Sequence, residues 1–158
     1  MPPKPKAPAE GAEAHYRALE SLYVSAPINR LFESTLEIPE RGHARIRFLL
    51  DRRYYHAGGA AHGTSYFKML DDAAFYAANS LVTDRFLLTT AFNLLFTRPL
   101  EEGPVTAQGQ WISGQRRVLI AESRLIDANG EEVARGTGTF MRSNLSLAGL
   151  PGYRIGTA

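Results

Sequence analysis

Apolar residues follow a helical spacing in two parts of the chain. The first part, residues 13–29, is predicted to form an amphipathic helix that ends near Pro27. Its apolar positions succeed one another at steps of three and four: Tyr16, Leu19, Tyr23 and Ala26. The second part, from Gly63 to Ser80 or Leu81, is apolar over most of its circumference. A helix of that kind needs other elements around it.

Six segments have the composition or alternation of β-strands. Two precede the long helix and four follow it, at residues 32–38, 44–50, 86–98, 104–113, 115–127 and 132–142. In the third strand, the alternation predicts one face with Leu88, Phe92, Leu94 and Phe96 and another with Thr89, Asn93 and Thr97. Asn129-Gly130 is a strong hairpin signal between the last two strands. The order predicts an α+β fold in which one antiparallel sheet curls around a buried helix.

Composition narrows the class of protein. The 158 residues fit one domain, with 44% hydrophobic and 22% charged residues. We expect a Pro- and Lys-rich disordered tail over 1–12, the domain over 13–145 and a C-terminal extension over 146–158. A net charge of +2 with dispersed arginines does not favour a nucleic-acid partner. Without cysteines, a thiolate metal site or a cysteine nucleophile is excluded. No apolar run suits a membrane span and no segment resembles a signal peptide, so a cytoplasmic protein is expected.

Two adjacent aspartates stand in the middle of the long helix. Asp72 lies on a polar stripe one turn after Lys68, which favours a solvated or paired surface charge. Asp71 lies about 100° further round, close to Phe67 and Phe75. An apolar setting raises the pKa of a carboxyl group and suits it to act as a base or nucleophile. A carboxylate satisfied by strand hydroxyls is the alternative for Asp71.

The start of the same helix is rich in glycine. Gly63 stands where the first amides lack intrahelical partners, and such amides stabilise a developing oxyanion. The alternative is that Gly58, Gly59 and Gly63 only form a tight turn. Gly63 and Asp71 are eight residues apart, or roughly 12 Å along a helix. The two residues therefore form one site only if Asp71 comes from a second copy in a twofold dimer.

Two sequence runs carry a family resemblance. The runs H-x-x-G-x-x-H-G-x-x-x-x-x-x-L-D-D-A and L-T-T-x-F-N-x-x-F-x-R-P resemble those of hotdog-fold acyl-CoA thioesterases of the PaaI type. The resemblance covers roughly residues 30–142 and includes the order of the elements. It implies a curled antiparallel sheet wrapped around a long central helix. It also implies dimers with a continuous sheet, often paired into homotetramers, and no cofactor, since coenzyme A is part of the substrate.

The resemblance also implies roles for individual residues. Asp71, nine residues after His62, corresponds to the nucleophile or general base, and the Gly63 amide to the group that binds the thioester oxygen. Thr89 corresponds to the residue that orients water. Positive side chains suited to the phosphates of coenzyme A are Arg116, Arg117 and, as a weaker candidate, Arg98.

The sequence departs from the family pattern at two positions. His56 stands where the family commonly has an asparagine that polarises the thioester carbonyl, and a histidine donates the same hydrogen bond. Thr64 replaces the second glycine of the usual HGG run, where its side chain either narrows the approach or caps the helix. His62 is expected to order the loop or to contact substrate. The histidine spacings match no metal motif, so no metal is expected.

The sequence thus predicts hydrolysis of acyl-CoA at a site shared between protomers. Two alternatives remain open. A hydratase or dehydratase of the same fold acts on acyl thioesters with an Asp and a His, and His56 keeps that alternative open. A non-catalytic acyl-CoA binding protein would retain the fold and the arginines without turnover.

Overall fold

The computed structural model describes residues 9–156, so the tail predicted over 1–12 lies mostly outside the described residues. Nine helices and strands are found in that part of the chain. They are α1 (Ala12–Ser25), α2 (Pro27–Phe32), β1 (Thr35–Glu40), β2 (His43–Leu50), α3 (Gly63–Asn79), β3 (Arg85–Phe96), β4 (Gly103–Ser113), β5 (Val118–Ile126) and β6 (Glu132–Ser146). Two short 3-10 turns lie at Arg52–Tyr54 and Leu147–Gly149.

The strands form one six-stranded sheet in the order β1-β2-β4-β5-β6-β3, and every neighbouring pair is antiparallel. The sheet packs around α3, whose inward residues Leu70, Ala73, Ala74 and Ala77 are completely buried. This is the hotdog fold, and the predicted sheet around a central helix is confirmed.

Small residues allow the helix and the sheet to approach closely. A Cβ atom on Gly109 of β4 would lie 2.0 Å from the carbonyl oxygen of Ala73, so only glycine fits there. The hydroxyl of Ser123 on β5 donates a hydrogen bond of 2.7 Å to the carbonyl oxygen of Leu70. These two contacts fix the position of α3 against the sheet, and with it the positions of the groups that α3 carries.

The predicted first helix is in fact two helices. The chain leaves helical geometry at Ala26, where φ is −67° and ψ is 128°, and Pro27 begins α2. Proline disfavours helical geometry in the residue before it and fits the first helical position. The strand predicted over 32–38 therefore begins later, at Thr35, after Glu33 closes α2 with a left-handed φ of 53°.

The predicted faces of β3 are wrong at the start of the strand. Phe92 and Leu94 pack against the core, but Leu88 is 50% exposed. The register of β3 against β6 shifts between Thr89 and Ala91. A bulge of this kind reverses the alternation of side chains on its two sides. Leu87 thus takes the buried position before the bulge, which exposes its neighbour.

The other predicted elements agree closely with the structure. The long helix spans Gly63–Asn79, and β4, β5 and β6 form two consecutive hairpins. Gly130 has a φ of 80°, as the hairpin between β5 and β6 requires. After β6, Leu147 is fully buried, and the Tyr153 hydroxyl lies 2.7 Å from Nδ1 of His15 on α1. The C-terminal segment therefore packs against the N-terminal helix.

Candidate active site

The first turn of α3 presents a free backbone amide. His62 is the N-cap residue: its Nδ1 accepts a hydrogen bond of 3.1 Å from the Thr64 amide, and its carbonyl accepts one from Ser65. Within residues 9–156, no such partner is found for the amide of Gly63. The Gly63 N–H is thus available to an external oxygen at the positive end of the helix. His62, rather than Thr64, caps the helix, and the Thr64 hydroxyl lies 3.0 Å from the same Nδ1 atom.

A cleft of about 440 Å³ opens at this end of the helix. His56, Gly63 and Arg98 all line it, so the structure brings these three predicted residues together. Nδ1 of His56 accepts a hydrogen bond of 2.9 Å from the Gly58 amide. In the neutral ring the proton is therefore on Nε2, which makes Nε2–H the available donor.

Two aromatic residues that the sequence analysis did not predict to be part of the site complete this cleft. A Cβ atom on Gly63 would lie 3.2 Å from the Phe96 ring, whose centroid is 5.2 Å from that of Tyr66. The Tyr66 hydroxyl donates a hydrogen bond of 2.8 Å to the carbonyl oxygen of Arg98. This bond joins the helix to the segment that follows β3. Since Tyr66 and Arg98 are 32 residues apart, no local pattern indicates it.

Asp71 lies in a different cleft, of about 280 Å³, together with Thr89. The Thr89 hydroxyl donates a hydrogen bond of 2.9 Å to Oδ1 of Asp71. Burial raises the pKa of Asp71 to about 6, against the opposing effect of this hydrogen bond. A carboxyl group with this pKa is suited to act as a general base near neutral pH. The strand hydroxyl expected under the alternative interpretation is present too, on one of the two carboxylate oxygens.

The Asp72 carboxylate pairs with Lys68, but this pair is not a surface ion pair. The Lys68 side chain is only 10% exposed and that of Asp72 19%. Nζ of Lys68 also donates to Oδ1 of Asn29, at 2.6 Å, and lies 3.4 Å from the Tyr23 hydroxyl. Burial raises the pKa of Asp72, and the Lys68 ammonium opposes that effect. Asp72 thus belongs to a buried network that ties α3 to α1 and α2.

Arg116 and Arg117 are exposed on the turn between β4 and β5 and line neither cleft. Arg98, which does line the Gly63 cleft, has its Nη1 atom 3.4 Å from Oε2 of Glu131. Within one chain, the predicted residues therefore divide into three places: the Gly63 cleft, the Asp71 cleft and an exposed basic turn. No group of three or more possible metal ligands occurs among residues 9–156. In the same part of the chain, no helix is long and apolar enough to cross a membrane.

We expect the two aspartates to affect stability in opposite directions. Asp71→Asn removes a carboxylate that burial penalises when it is charged, so stability should rise by roughly 1 kcal/mol at pH 7.5. The folded pKa of about 6 exceeds the ordinary value of 3.8, so the penalty develops as pH rises between these values and is small near pH 4. Urea unfolding at both pH values measures the difference.

Asp72→Asn is the matched variant at the next position. It leaves the buried Lys68 ammonium without its carboxylate. The free energy of unfolding should therefore fall by roughly 2–4 kcal/mol at pH 7.5. A loss of stability in both variants at pH 7.5 would contradict the distinction between the two carboxylates.

Comparisons with known proteins agree with this fold. Residues 58–134 match the family model of the thioesterase superfamily. A protein of Saccharolobus solfataricus that is named as an esterase is 28% identical to this chain over 102 residues. The match covers 65% of this chain and 68% of that protein. The family match supports thioester hydrolysis in general, and the esterase-named protein supports a hydrolase.

Solved structures extend the match over more of the chain. The PaaI protein of the E. coli phenylacetic acid degradation operon superimposes with a TM-score of 0.78 at 18% identity, over 85% of this chain and 97% of its own. The Haemophilus influenzae thioesterase HI1161 has a TM-score of 0.73 at 16% identity, over 82% and 91%. A mutant of PaaI from Thermus thermophilus has a TM-score of 0.68 at 22% identity, over 75% and 100%. These structures confirm the fold that the resemblance to PaaI-type hotdog thioesterases implies.

Proposed function

We propose that this protein is an acyl-CoA thioesterase whose active site is completed by two protomers. The observation that carries the proposal is the division of the site residues between two clefts. Gly63 and His56 offer hydrogen-bond donors in one cleft, while Asp71 offers a carboxylate of raised pKa in the other. Neither cleft holds both a donor pair for an oxyanion and a base, so a second copy must supply the missing half.

The sheet has an edge suited to that second copy. β3 is an edge strand of 12 residues, and Leu88, Leu95 and Phe96 on it are at least 50% exposed. The opposite edge strand, β1, has only six residues, with Pro39 and a register shift. Proline, irregularity and short length protect an edge from pairing, whereas a long apolar edge invites it. Pairing of two β3 strands would give a continuous sheet with two equivalent sites.

In the proposed mechanism, the substrate thioester oxygen accepts hydrogen bonds from the Gly63 amide and from Nε2–H of His56. Both donors stabilise the negative charge that develops on this oxygen in the transition state. Asp71 of the partner subunit takes a proton from water as the water oxygen bonds to the carbonyl carbon. The carbon–sulfur bond then breaks, and the thiolate of coenzyme A leaves and is protonated. Direct attack by Asp71, followed by hydrolysis of the anhydride, is the other route open to the same carboxylate.

Two sets of positive side chains would serve the phosphates of coenzyme A. Arg98 lines the Gly63 cleft, where the thioester oxygen would bind. Arg116 and Arg117 are exposed on the β4–β5 turn and would meet the phosphates further from the reacting bond. Thr64, in the first turn of α3, would narrow the approach beside Gly63. Guanidinium groups are suited to phosphate through paired hydrogen bonds.

Asp71→Asn should abolish hydrolysis of acyl-CoA, with a loss of at least about 100-fold in kcat/KM, because the base is removed. Asp72→Asn should stay within about tenfold of the wild type per folded molecule, since Asp72 pairs with Lys68. Release of free thiol across a panel of acyl-CoA substrates measures both variants. A hydratase releases no thiol, so the same assay separates that alternative. Equal losses in the two variants would overturn the assignment.

Thr89→Val should move the acid limb of the pH profile to higher pH. Only the ionised base is active, so kcat/KM falls about tenfold per pH unit below the Asp71 pKa of about 6. The Thr89 hydrogen bond lowers that pKa, and its removal raises the pKa further.

Thr90→Val is the matched control, since the Thr90 hydroxyl bonds to Thr139 and not to Asp71. Its acid limb should coincide with that of the wild type. A Thr89→Val profile whose acid limb is unmoved, or displaced to lower pH, would refute the role of Asp71 as the titrating base.

A further inference from the structure

A second, more apolar groove of about 490 Å³ lies beside the Asp71 cleft. It runs between the end of α1, the last turn of α3, the start of β3 and the chain from the end of β6 onwards. Its apolar lining includes Leu22, Pro27, Phe86, Leu145 and Leu150. Arg154 is the one charged residue among those that line it, and the Ser25 hydroxyl is already bonded to the carbonyl oxygen of Leu22 at 2.7 Å. The groove therefore offers mainly apolar surface.

The groove and the Asp71 cleft adjoin each other. Three residues, Ala26, Tyr76 and Phe86, line both. Ala26 is the residue at which the chain breaks between α1 and α2, and its small side chain lies at this junction. A molecule whose reacting atom is next to Asp71 can therefore extend past Ala26 without leaving the protein surface.

Apolar side chains remain uncovered along this path. Ile28 in the Asp71 cleft is 50% exposed, and Leu145 in the groove is 49% exposed. Burying such surface is favourable, and a contiguous row of it beside a candidate active site indicates an apolar ligand.

We propose that this groove binds the acyl chain of the substrate and selects thioesters with extended apolar acyl groups over acetyl groups. The inference rests on the proposed function. A thioester has a polar side, which carries the phosphates of coenzyme A, and an acyl side. With the carbonyl carbon next to Asp71, the apolar groove beyond Ala26 suits only the acyl side.

The walls of the groove come mainly from outside the part of the chain shared with the thioesterase superfamily. Of its lining residues, only Tyr76 and Phe86 fall within the matched residues 58–134. The C-terminal wall is held against α1 by the contact between Tyr153 and His15, and a Cβ atom on Gly152 would lie 2.1 Å from Oγ of Ser25. Selection among acyl groups is thus a property of the N-terminal helices and the C-terminal segment of this chain.

The test compares kcat/KM for acetyl-, butanoyl-, hexanoyl-, octanoyl- and decanoyl-CoA. In the wild type, kcat/KM should rise by up to about fourfold for each methylene group that enters the groove. Ala26→Phe fills the junction, and the extended φ and ψ of Ala26 accept a larger side chain. The ratio of kcat/KM for decanoyl-CoA to that for acetyl-CoA should fall at least tenfold. Leu145→Glu, at a half-exposed position, should lower the same ratio by placing a charge in the groove.

Val24→Phe is the control. It adds a similar bulk to α1 at a position that is 64% exposed and lines neither cleft, so the ratio should stay at the wild-type value. Two results would refute the role of the groove in binding the acyl chain: equal kcat/KM for all chain lengths in the wild type, or an unchanged ratio in both Ala26→Phe and Leu145→Glu. Neither result would contradict the proposed thioesterase activity.

Calorimetry separates failure of the groove from failure of the proposed function. If the wild type hydrolyses no acyl-CoA, the proposed function fails. The binding measurement alone then tests whether the groove holds the acyl chain. Decanoyl-CoA should bind to Asp71→Asn at least fivefold more tightly than to the double variant Asp71→Asn/Ala26→Phe. Equal affinity, or no binding to either, contradicts the proposal.

Discussion

The pitch of a single helix is the constraint on which the rest of the site depends. α3 carries the Gly63 amide at its first position and Asp71 in its third turn, and the rise of an α-helix separates them by roughly 12 Å. The sheet holds this helix in place, with Gly109 packed against Ala73 and the Ser123 hydroxyl bonded to the carbonyl oxygen of Leu70. One thioester carbonyl cannot reach both groups within a chain. The exposed edge of β3 offers the means of adding a second chain, so the helix geometry and the sheet edge support the same assembly.

The two aspartates illustrate how neighbouring residues of one type acquire different properties. Asp72 is paired with a buried ammonium group, which supports the contact between α3 and the N-terminal helices. Asp71 has no cation bonded to it among the described residues, and its hydrogen bond comes from the neutral hydroxyl of Thr89. Burial therefore makes the charged form of Asp71 unfavourable. Ionisable groups with shifted pKa values are typical of functional sites, where a reactive group often lowers the stability of the fold.

The sequence predicted those parts of the structure that depend on local signals. The long helix followed from its apolar periodicity, and the last hairpin from Asn129-Gly130. The bulge in β3 could not be predicted, because it depends on pairing with β6, about 50 residues away. The bond between Lys68 and Asn29 spans 39 residues, so the helix pattern alone placed Asp72 at the surface. The apolar groove joins segments near residues 22–27 and 145–154, and only the folded chain brings these together.

The central claim is that Gly63 of one protomer acts with Asp71 of the other, and mixed dimers test it most directly. Gly63→Pro removes the amide, and proline fits both the first helical position and the extended His62 before it. Asp71→Ala removes the carboxylate. Each variant alone should be inactive, but a heterodimer of the two contains one intact site. Random mixing should therefore restore about one quarter of wild-type thioester hydrolysis, since half of the dimers are mixed and each has one of two sites. Heterodimers that co-purify through two different tags and show no activity above the parent variants would contradict the shared site.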